Sequence, residues 1–331
     1  VGETYVKIDT NAGIVMQPRG TSYMSTSIPD GTATGGNARG DNAVDLQMDR
    51  ANATEVASGN LATIAGGRNN TADGFIATVG GGTNNTATGT YSRIAGGQSN
   101  NIGGFALNSS IGGGVTNTIS ESESTIGGGS GNTASGRFST IGGGQNNTAS
   151  NMHATVAGGA DNFASGLHST IGGGEFNLAS GQNSTVAGGQ QNDAIVDDAF
   201  IGSGRSNLVD GIRAAIVGGD GNTATGLQSA IGGGLNNTTT GTNSTIAGGD
   251  ANTAVGNQSA IVGGQGLNTQ SYGEVALGYY NTTYTASNVA SKNTADRLLV
   301  VGNGTNATPE DALRLYKSGN MAIGNFDPEV R

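Results

Sequence analysis

Two acidic clusters are the first features of this chain whose residue types could support catalysis. Asp197 is followed by Asp198, and Glu121 lies two residues before Glu123. Paired carboxylates cleave glycosidic bonds when both converge on one groove, one as the acid and the other as nucleophile or base. Both clusters fall at variable positions of a repeat, which favours a solvated corner of the fold. An enzyme that cleaves a surface polysaccharide is therefore kept as the alternative function.

The two histidines, His153 and His168, form the second candidate site. They lie 15 residues apart, so a fold with that period would stack them about 5 Å apart. That distance is short enough for both to contact one metal ion. No carboxylate or third ligand shares their position in the repeat, which favours two exposed side chains on a corner. We therefore predict no metal and no cofactor, with His153 and His168 as the only candidates for a metal site.

Glycine runs such as Gly142-Gly143-Gly144 invite comparison with phosphate-binding and calcium-binding motifs. No run is followed by Gly-Lys-Ser or Gly-Lys-Thr, and the runs recur along the chain, so a phosphate loop is not indicated. Calcium-binding rolls require a nine-residue period, whereas Gly218-Gly219-Asp220 belongs to a 15-residue one. No Ser-His-Asp arrangement is apparent either. The sequence predicts a protein that is not an enzyme.

A repeat of 15 residues positions all of these side chains. In each of 14 successive coils, Ser or Ala lies two residues before an Ile or Val, and Gly lies three residues after it. An Asn lies six residues after the Ile or Val, and the last coil carries it one place late, at Asn268. The predicted core of the solenoid and trimer comprises Ile126, Ile141, Val156, Ile171, Val186, Ile201, Ile216, Ile231, Ile246 and Ile261. The predicted Asn ladder comprises Asn132, Asn147, Asn162, Asn177, Asn192, Asn207, Asn222, Asn237 and Asn252.

The period within each coil indicates β-structure. Each half of the repeat alternates with a period of two, which is typical of a short strand. The Gly-rich junctions permit positive φ and tight turns. Two strands and two turns per coil predict an all-β fold, a parallel β-solenoid of about 14 coils. Stacked Asn side chains are expected to bond to the coils above and below.

A single chain of this pattern is expected to need partners. One coil buries about one Ile or Val and one Ala, which is little apolar area against the entropy lost by ordering 15 residues. A single narrow roll would also leave its one apolar face open to water. Burial of that face against identical chains would solve both problems, so we predict a homo-oligomer.

The coil resembles the Ser-x-Ala-x-Gly repeat of trimeric autotransporter adhesin heads. Ser139-x-Ile141-x-Gly143 and Asn147-x-Ala149 match the two halves of that motif, and the resemblance covers about residues 56–280. Residues 40–47 are similar to the entry of such rolls in phage tail proteins. The Leu-Val-Val-Gly-Asn-Gly strand at residues 299–304 and the Lys-x-Gly-Asn-x-x-Ile-Gly hairpin at residues 317–324 together resemble the segment before the self-cleaving intramolecular chaperone of phage tail spikes and fibres. The resemblance implies a left-handed parallel β-roll in which three chains form one homotrimer.

Three domains are predicted from these patterns. Residues 1–39, with short strands near 6–8 and 14–16, are expected to form an attachment segment that joins an upstream shaft or particle. Residues 40–280 form the β-roll, and residues 281–331 form a small β-rich cap containing a hairpin over 312–324. The sequence lacks Cys and any stretch of 18 apolar residues, so no disulfide and no membrane span are predicted. Val1 and the missing signal peptide indicate a processed or excerpted chain.

The predicted function is attachment by a non-enzymatic fibre. A net charge of −10 disfavours nucleic acid and anionic membrane as partners. The resemblance implies an extracellular phage-type tail fibre or bacterial surface adhesin that binds a cell-surface glycan or protein receptor. Tyr279, Tyr280 and Tyr284 are the predicted receptor contacts, because exposed aromatics favour binding and the trunk sequence has few. A minor alternative is ice or crystal binding by a flat Thr column that includes Thr140 and Thr155.

Overall fold

The computed structural model describes residues 24–47 and 49–324. Within these residues the chain is an all-β parallel β-solenoid of about 16 turns and contains no helix. The predicted all-β solenoid is therefore confirmed. It has more turns than the predicted 14, because strands Val44–Asp45 and Val275–Tyr279 continue the first sheet at either end of the repeats. The strands predicted near residues 6–8 and 14–16 lie outside the described residues.

Each coil contributes one short strand to each of two parallel sheets. In the coil that begins at Ser139, Thr140–Ile141 belongs to the first sheet and Thr148–Ala149 to the second. Between them a single bridge at Gln145 pairs with the coils on both sides. Neighbouring coils pair in strict register, with Ile141 opposite Val156. Every repeat therefore presents the same side chains in the same column.

Among the described residues the first sheet has 20 strands and the second has 14. The first sheet comprises Met24–Ser25, Val44–Asp45, Thr63–Ile64, Thr78–Val79, Arg93–Ile94, Ser110–Ile111, Thr125–Ile126, Thr140–Ile141, Thr155–Val156, Thr170–Ile171, Thr185–Val186, Phe200–Ile201, Ala215–Ile216, Ala230–Ile231, Thr245–Ile246, Ala260–Gln265, Val275–Tyr279, Arg297–Asn303, Asp311–Tyr316 and Met321–Ile323. The second sheet comprises Thr71–Ala72, Thr86–Ala87, Asn101–Ile102, Thr118–Ile119, Thr133–Ala134, Thr148–Ala149, Phe163–Ala164, Leu178–Ala179, Asp193–Ala194, Leu208–Val209, Thr223–Ala224, Thr238–Thr239, Thr253–Ala254 and Asn268–Thr269.

The core is enclosed within a single chain, which corrects one expectation from the sequence. The side chains of Ser139, Ile141, Asn147 and Ala149 all point into their own coil and are completely buried. A roll with one open apolar face was expected, because the period shows which residues share a side but not that the two strands of a coil face each other. The Ile and Val column therefore needs no partner chain to leave water.

The corners of each coil combine the positive φ predicted for the Gly-rich junctions with left-handed non-glycine residues that the repeat did not predict. Gly144 turns the first corner with φ +96°, and a Cβ there would overlap the carbonyl oxygen of Gly159. Two further residues of the coil, Asn146 (φ 52°) and His153 (φ 59°), are left-handed although neither is glycine. Left-handed non-glycine residues are uncommon, yet this pair of positions recurs in successive coils as far as Gln258.

A buried ion cluster closes the N-terminal end of the solenoid. Asp45 occupies the place of the Ile column, opposite Ile64 in the next strand. Arg39 and Arg50 each donate to Oδ2 of Asp45 at 3.0 Å, and all three side chains are buried. Residues 24–39 thereby pack on this end of the roll.

The C-terminal end is closed by an irregular loop and a hairpin. Strand Arg297–Asn303 pairs in parallel with Val275–Tyr279 and extends the first sheet. Asp311–Tyr316 and Met321–Ile323 then add antiparallel strands, so the hairpin predicted over residues 312–324 is present. None of the described residues forms a helix that could cross a lipid bilayer.

Candidate assembly and binding surfaces

The predicted Asn ladder is a buried column inside the solenoid. Nδ2 of Asn147 donates to Oδ1 of Asn132 at 3.2 Å and to the carbonyl of Gly143 at 3.0 Å. Oδ1 of Asn147 accepts the backbone N–H and the Nδ2 group of Asn162, both at 3.1 Å. Since the whole column from Asn132 to Asn252 is at most 1% exposed, these amides bind one another and the backbone, with no face left for a ligand.

The ladder begins and ends on residues that the repeat did not predict. Oε1 of Gln47 accepts the N–H of Asn70 at 2.9 Å and so replaces an Asn at the N-terminal end. At the other end Oδ1 of Asn252 accepts the N–H of Leu267 at 2.9 Å. Leu267 fills the buried column and Asn268 lies one position beyond it, in a strand of the second sheet.

The predicted core residues from Ile126 to Ile261 also lie inside the coils, each at most 1% exposed. The outward side chains of the first sheet, which flank that buried column, form a surface that we name the trunk face. Arg93 is the one charged residue among its 28 members, which are otherwise mostly Thr, Ala and Gly. The trunk face comprises Thr63, Ala65, Thr78, Gly80, Arg93, Ala95, Ser110, Gly112, Thr125, Gly127, Thr140, Gly142, Thr155, Ala157, Thr170, Gly172, Thr185, Ala187, Phe200, Gly202, Ala215, Val217, Ala230, Gly232, Thr245, Ala247, Ala260 and Val262.

The second sheet presents a different outer face. Rows such as Thr223 with Thr225 and Thr238 with Thr240 place two hydroxyls on one strand. Four successive coils interrupt these rows with Phe163, Leu178, Asp193 and Leu208 at the first position. Burial raises the pKa of Asp193. A uniform Thr lattice is therefore absent from the middle of this face.

The three tyrosines predicted to bind a receptor lie at the C-terminal end but differ in exposure. Tyr279 is 59% exposed, while Tyr280 and Tyr284 are partly buried. The ring of Tyr284 lies 3.9 Å from the guanidinium carbon of Arg297, a cation–π contact. A cleft of about 460 Å³ lies beside Tyr284 and is also lined by Val255, Gln270, Thr283, Thr285, Ala286 and Val289.

Arg297 is the centre of a buried ion cluster in this cap. Its Nη1 lies 3.2 Å from Oδ2 of Asp311, and its Nε lies 3.4 Å from Oε1 of Glu274. Burial raises the pKa of Glu274, although two backbone N–H groups and Arg297 oppose that rise. Nζ of Lys317 donates to Oγ of Ser271 at 2.7 Å, and burial lowers the pKa of this lysine. Ser271 is itself completely buried, so these groups bind the cap to the last coil.

The histidine pair is part of an exposed aromatic stack. The rings of His153 and His168 lie 5.0 Å apart, and His153 stacks on Phe138 at 4.8 Å. The guanidinium carbon of Arg137 lies 4.4 Å from the ring centre of Phe138. Imidazole binds metals through in-plane lone pairs, which point side by side in stacked rings rather than at one ion. No cluster of three or more metal-binding side chains occurs among the described residues.

The acidic clusters lie on the corners and bond to neighbouring coils. Oδ1 of Asp197 accepts the N–H of Gln182 at 3.0 Å. Asp198 accepts a bond from Asn183 at 3.1 Å, and Oε1 of Glu123 accepts one from Arg137 at 2.7 Å. Glu121 lies on the same edge as Glu123, and both are exposed. These contacts join successive coils, and the structure brings neither cluster together with the other.

Exposed aromatic residues on the trunk were missed by the sequence reasoning. Phe105 is 85% exposed, beside Tyr91 (51%) and Phe75 (42%), whose rings meet edge to face at 5.7 Å. The signal was present in the two-residue insertion before Ile111, because this break in the period is where Phe105 projects. The trunk therefore offers aromatic contacts as well as the C-terminal end.

A scan of the chain against models of known protein families finds no match, and a search of curated proteins finds none either.

Proposed function

We propose that this chain is a non-enzymatic structural and adhesive fibre protein whose copies associate side by side through the trunk face. The assembly is a homotrimer, as the adhesin-head resemblance implies, with the rolls left-handed. Its role is to present a rigid rod that attaches to a cell surface. It acts outside the cell, as part of a phage-like tail or a bacterial surface, and residues 1–39 join it to an upstream shaft or particle.

The observation that carries this proposal is the near absence of charge from the trunk face. Charged residues make up 11% of the chain, so 28 exposed positions would hold about three of them. The equivalent outward positions of the second sheet hold Asp73, Asp193 and Asp210, whereas the trunk face holds Arg93 alone. Buried interfaces between proteins are depleted in charge. Small side chains such as Ala157 and Gly142 also let two flat sheets approach closely. A surface that another chain covers explains both properties.

The dimensions of the trunk face suit an interface between long rods. The 14 coils of the trunk face at roughly 4.8 Å each give a length of about 67 Å, and two outward columns give a width of about 10 Å. The resulting area of about 670 Å² is somewhat below the roughly 800 Å² that each partner buries in a stable complex. A second copy matches this face along its full length, because it has the same repeat.

The mass of the intact protein tests the proposal. We expect sedimentation equilibrium of the full chain to give three copies per particle, and we expect Ala157→Glu to weaken the assembly by placing a charge on the trunk face. Gln145→Glu adds the same charge to a neighbouring coil, at the exposed corner between the two sheets, and is the matched control. A monomer at micromolar concentration, or equal loss of assembly in both variants, would contradict association through this face.

The adhesive end is proposed to be C-terminal. Tyr279 is the most exposed of the three predicted tyrosines, and Tyr284 lines the cleft beside it at the C-terminal end. The expected ligand is a cell-surface glycan or a protein receptor. Truncation after Gly278 would also remove the ion cluster that closes the roll, so point substitutions give a cleaner experiment.

Cell binding by point variants separates the tip from the trunk. We expect Tyr279→Ala and Tyr280→Ala to reduce binding while the mass of the assembly stays unchanged. Phe105→Ala on the trunk is the matched control, since it removes an exposed aromatic far from the tip. Loss of binding in Phe105→Ala alone would move the adhesive surface to the trunk.

The alternative function remains cleavage of a surface polysaccharide. Two carboxylate pairs would have to serve it, Asp197 with Asp198 and Glu121 with Glu123, and all four side chains are exposed on corners. Asp197, Asp198 and Glu123 accept hydrogen bonds from neighbouring coils. Release of reducing sugars from host polysaccharide by the purified assembly would establish this function in place of the proposed one. Ice or crystal binding is less favoured, because the predicted column of Thr140 and Thr155 lies on the trunk face, where the adjacent column consists mostly of Gly and Ala. Arg93 and Phe200 also interrupt the Thr column itself.

A further inference from the structure

The C-terminal hairpin carries a second outward surface of a different chemistry. Its register places Leu299 and Val301 beside Val275 and Leu277 in the parallel pair. Antiparallel pairing then sets Leu315 beside Leu299 and Leu313 beside Val301. In the last strand, Met321 lies beside Leu315 and Ile323 beside Leu313. We name this surface the C-terminal apolar face. It comprises Val275, Leu277, Leu299, Val301, Leu313, Leu315, Met321 and Ile323.

The opposite side of these strands is already occupied by the protein. Ala276, Val300 and Ala322 point inward and are at most 4% exposed, and Arg314 shares their side at the Asp311 end of the cluster. The hairpin thus turns its charged residues towards the roll and its aliphatic residues outward. Met321 and Ile323 are 57% and 64% exposed in the single chain. A contiguous apolar patch of this kind marks an interaction surface.

We infer that the C-terminal apolar face is the clamp that holds copies of this chain together, with a second copy of the same face as its occupant. This inference rests on the proposed self-association. The face continues one column of the trunk face directly, because Ala260 of the trunk pairs with Val275. A β-bulge at Val262 shifts the second column by one residue, so that Leu277 lies opposite Gly263. A copy seated along the trunk in register therefore brings its own C-terminal apolar face to the same level.

The two surfaces divide the work of association. The trunk face has the length for an interface but consists mainly of Gly, Ala and Thr, which release little apolar area from water. The C-terminal apolar face has eight large aliphatic side chains within four strands, and burial of such side chains drives association. The copies are expected to meet at this clamp, while the trunk faces align them and exclude charge.

Cysteine cross-linking tests which surfaces meet. The chain has no Cys, so Ile323→Cys introduces a single thiol on the clamp. We expect mild oxidation to join the copies covalently through this residue, at least tenfold more than through Ile212→Cys, a similarly exposed Ile on the trunk edge (47%). Equal linkage in the two variants would overturn the inference.

The dissociation constant of the assembly provides the second measurement. The double variant Met321→Thr with Ile323→Thr should raise it at least tenfold, while Ile212→Thr with Leu227→Thr leaves it within twofold. If the wild type assembles and the clamp variant has the same dissociation constant, the clamp is overturned and the proposed fibre stands. A wild-type monomer would overturn both. In that case hydrogen exchange over residues 311–323 would show whether the chain itself covers the face or leaves it for another partner.

Discussion

Replacement of Asn147 by Ala should test the ladder at the middle of the rod. The side chain is completely buried, and it serves two neighbours at once. Its loss removes the acceptor of the Asn162 backbone N–H, at 3.1 Å, and the donor to the Gly143 carbonyl, at 3.0 Å. Nδ2 of Asn147 also donates to the carbonyl of Gly159 at 2.8 Å, but that carbonyl keeps a second donor, the N–H of Gln145, at 2.9 Å.

The expected loss of stability follows from these orphaned groups. A buried N–H without a partner costs about 1–3 kcal/mol. The partly buried Gly143 carbonyl adds about 1 kcal/mol, and the two lost amide-to-amide bonds, one to Asn132 and one from Asn162, together add about as much again. Asn147→Ala should therefore lower the free energy of unfolding by about 3–5 kcal/mol. Gln145→Ala, which removes an exposed amide two residues away, should stay within about 0.5 kcal/mol.

Urea unfolding and hydrogen exchange together measure this effect. Equilibrium unfolding at fixed protein concentration gives the difference in free energy between each variant and the wild type. Hydrogen exchange should show faster exchange at Asn162, because a solenoid coil depends mainly on its nearest neighbours. A loss below about 1 kcal/mol for Asn147→Ala, or exchange raised equally along the whole rod, would refute the reasoning.

Three further predictions follow from the coil and its cap. Gly159→Ala should prevent normal folding, because its φ is +93° and a Cβ would overlap a carbonyl of the next coil, whereas Gly158→Ala meets no atom within 4 Å and should fold normally by circular dichroism. Ile171→Asp should unfold its coil even in a dilute single chain, since it buries an unpaired charge; a well-folded monomer that had lost only association would place Ile171 in the interface instead. Burial raises the pKa of Glu274 above its ordinary 4.5, so its contribution to stability is present at low pH and lost as the pH rises through the raised pKa. The wild type should therefore gain stability relative to Glu274→Gln as the pH falls from above the raised pKa towards 4.5, and thermal unfolding that shows a constant difference would contradict this.

Strict periodicity made the strands and their register predictable. Ile141 and Asn147 recur at fixed places, so their columns and the register of successive coils follow from the sequence. Closure of the coil did not follow, because alternation does not reveal which two strands face each other. The left-handed conformation of His153 was equally hidden, since non-glycine residues rarely adopt it and nothing in the repeat marks the position.

The ends of the roll were less predictable than its middle. Glu274, Arg297 and Asp311 meet in one cluster although irregular segments of different length separate them in the sequence. No period relates these residues, so their contact depends on how the loop over 281–296 folds. The outward direction of Leu313 and Leu315 likewise depends on the register of the hairpin, which alternation alone leaves open by one residue.

Because successive coils are alike, the length of this rod is set by the number of coils. Each coil bonds to the next through the same atoms, and the clusters around Asp45 and Arg297 close the two ends whatever the number of coils between them. Removal or duplication of one whole repeat would change the length by about 4.8 Å and leave each remaining contact of the same kind. An insertion of any other size must project from a corner, as the two residues near Phe105 do. A gene for such a protein can therefore adjust the distance between its two ends in even steps without redesigning either of them.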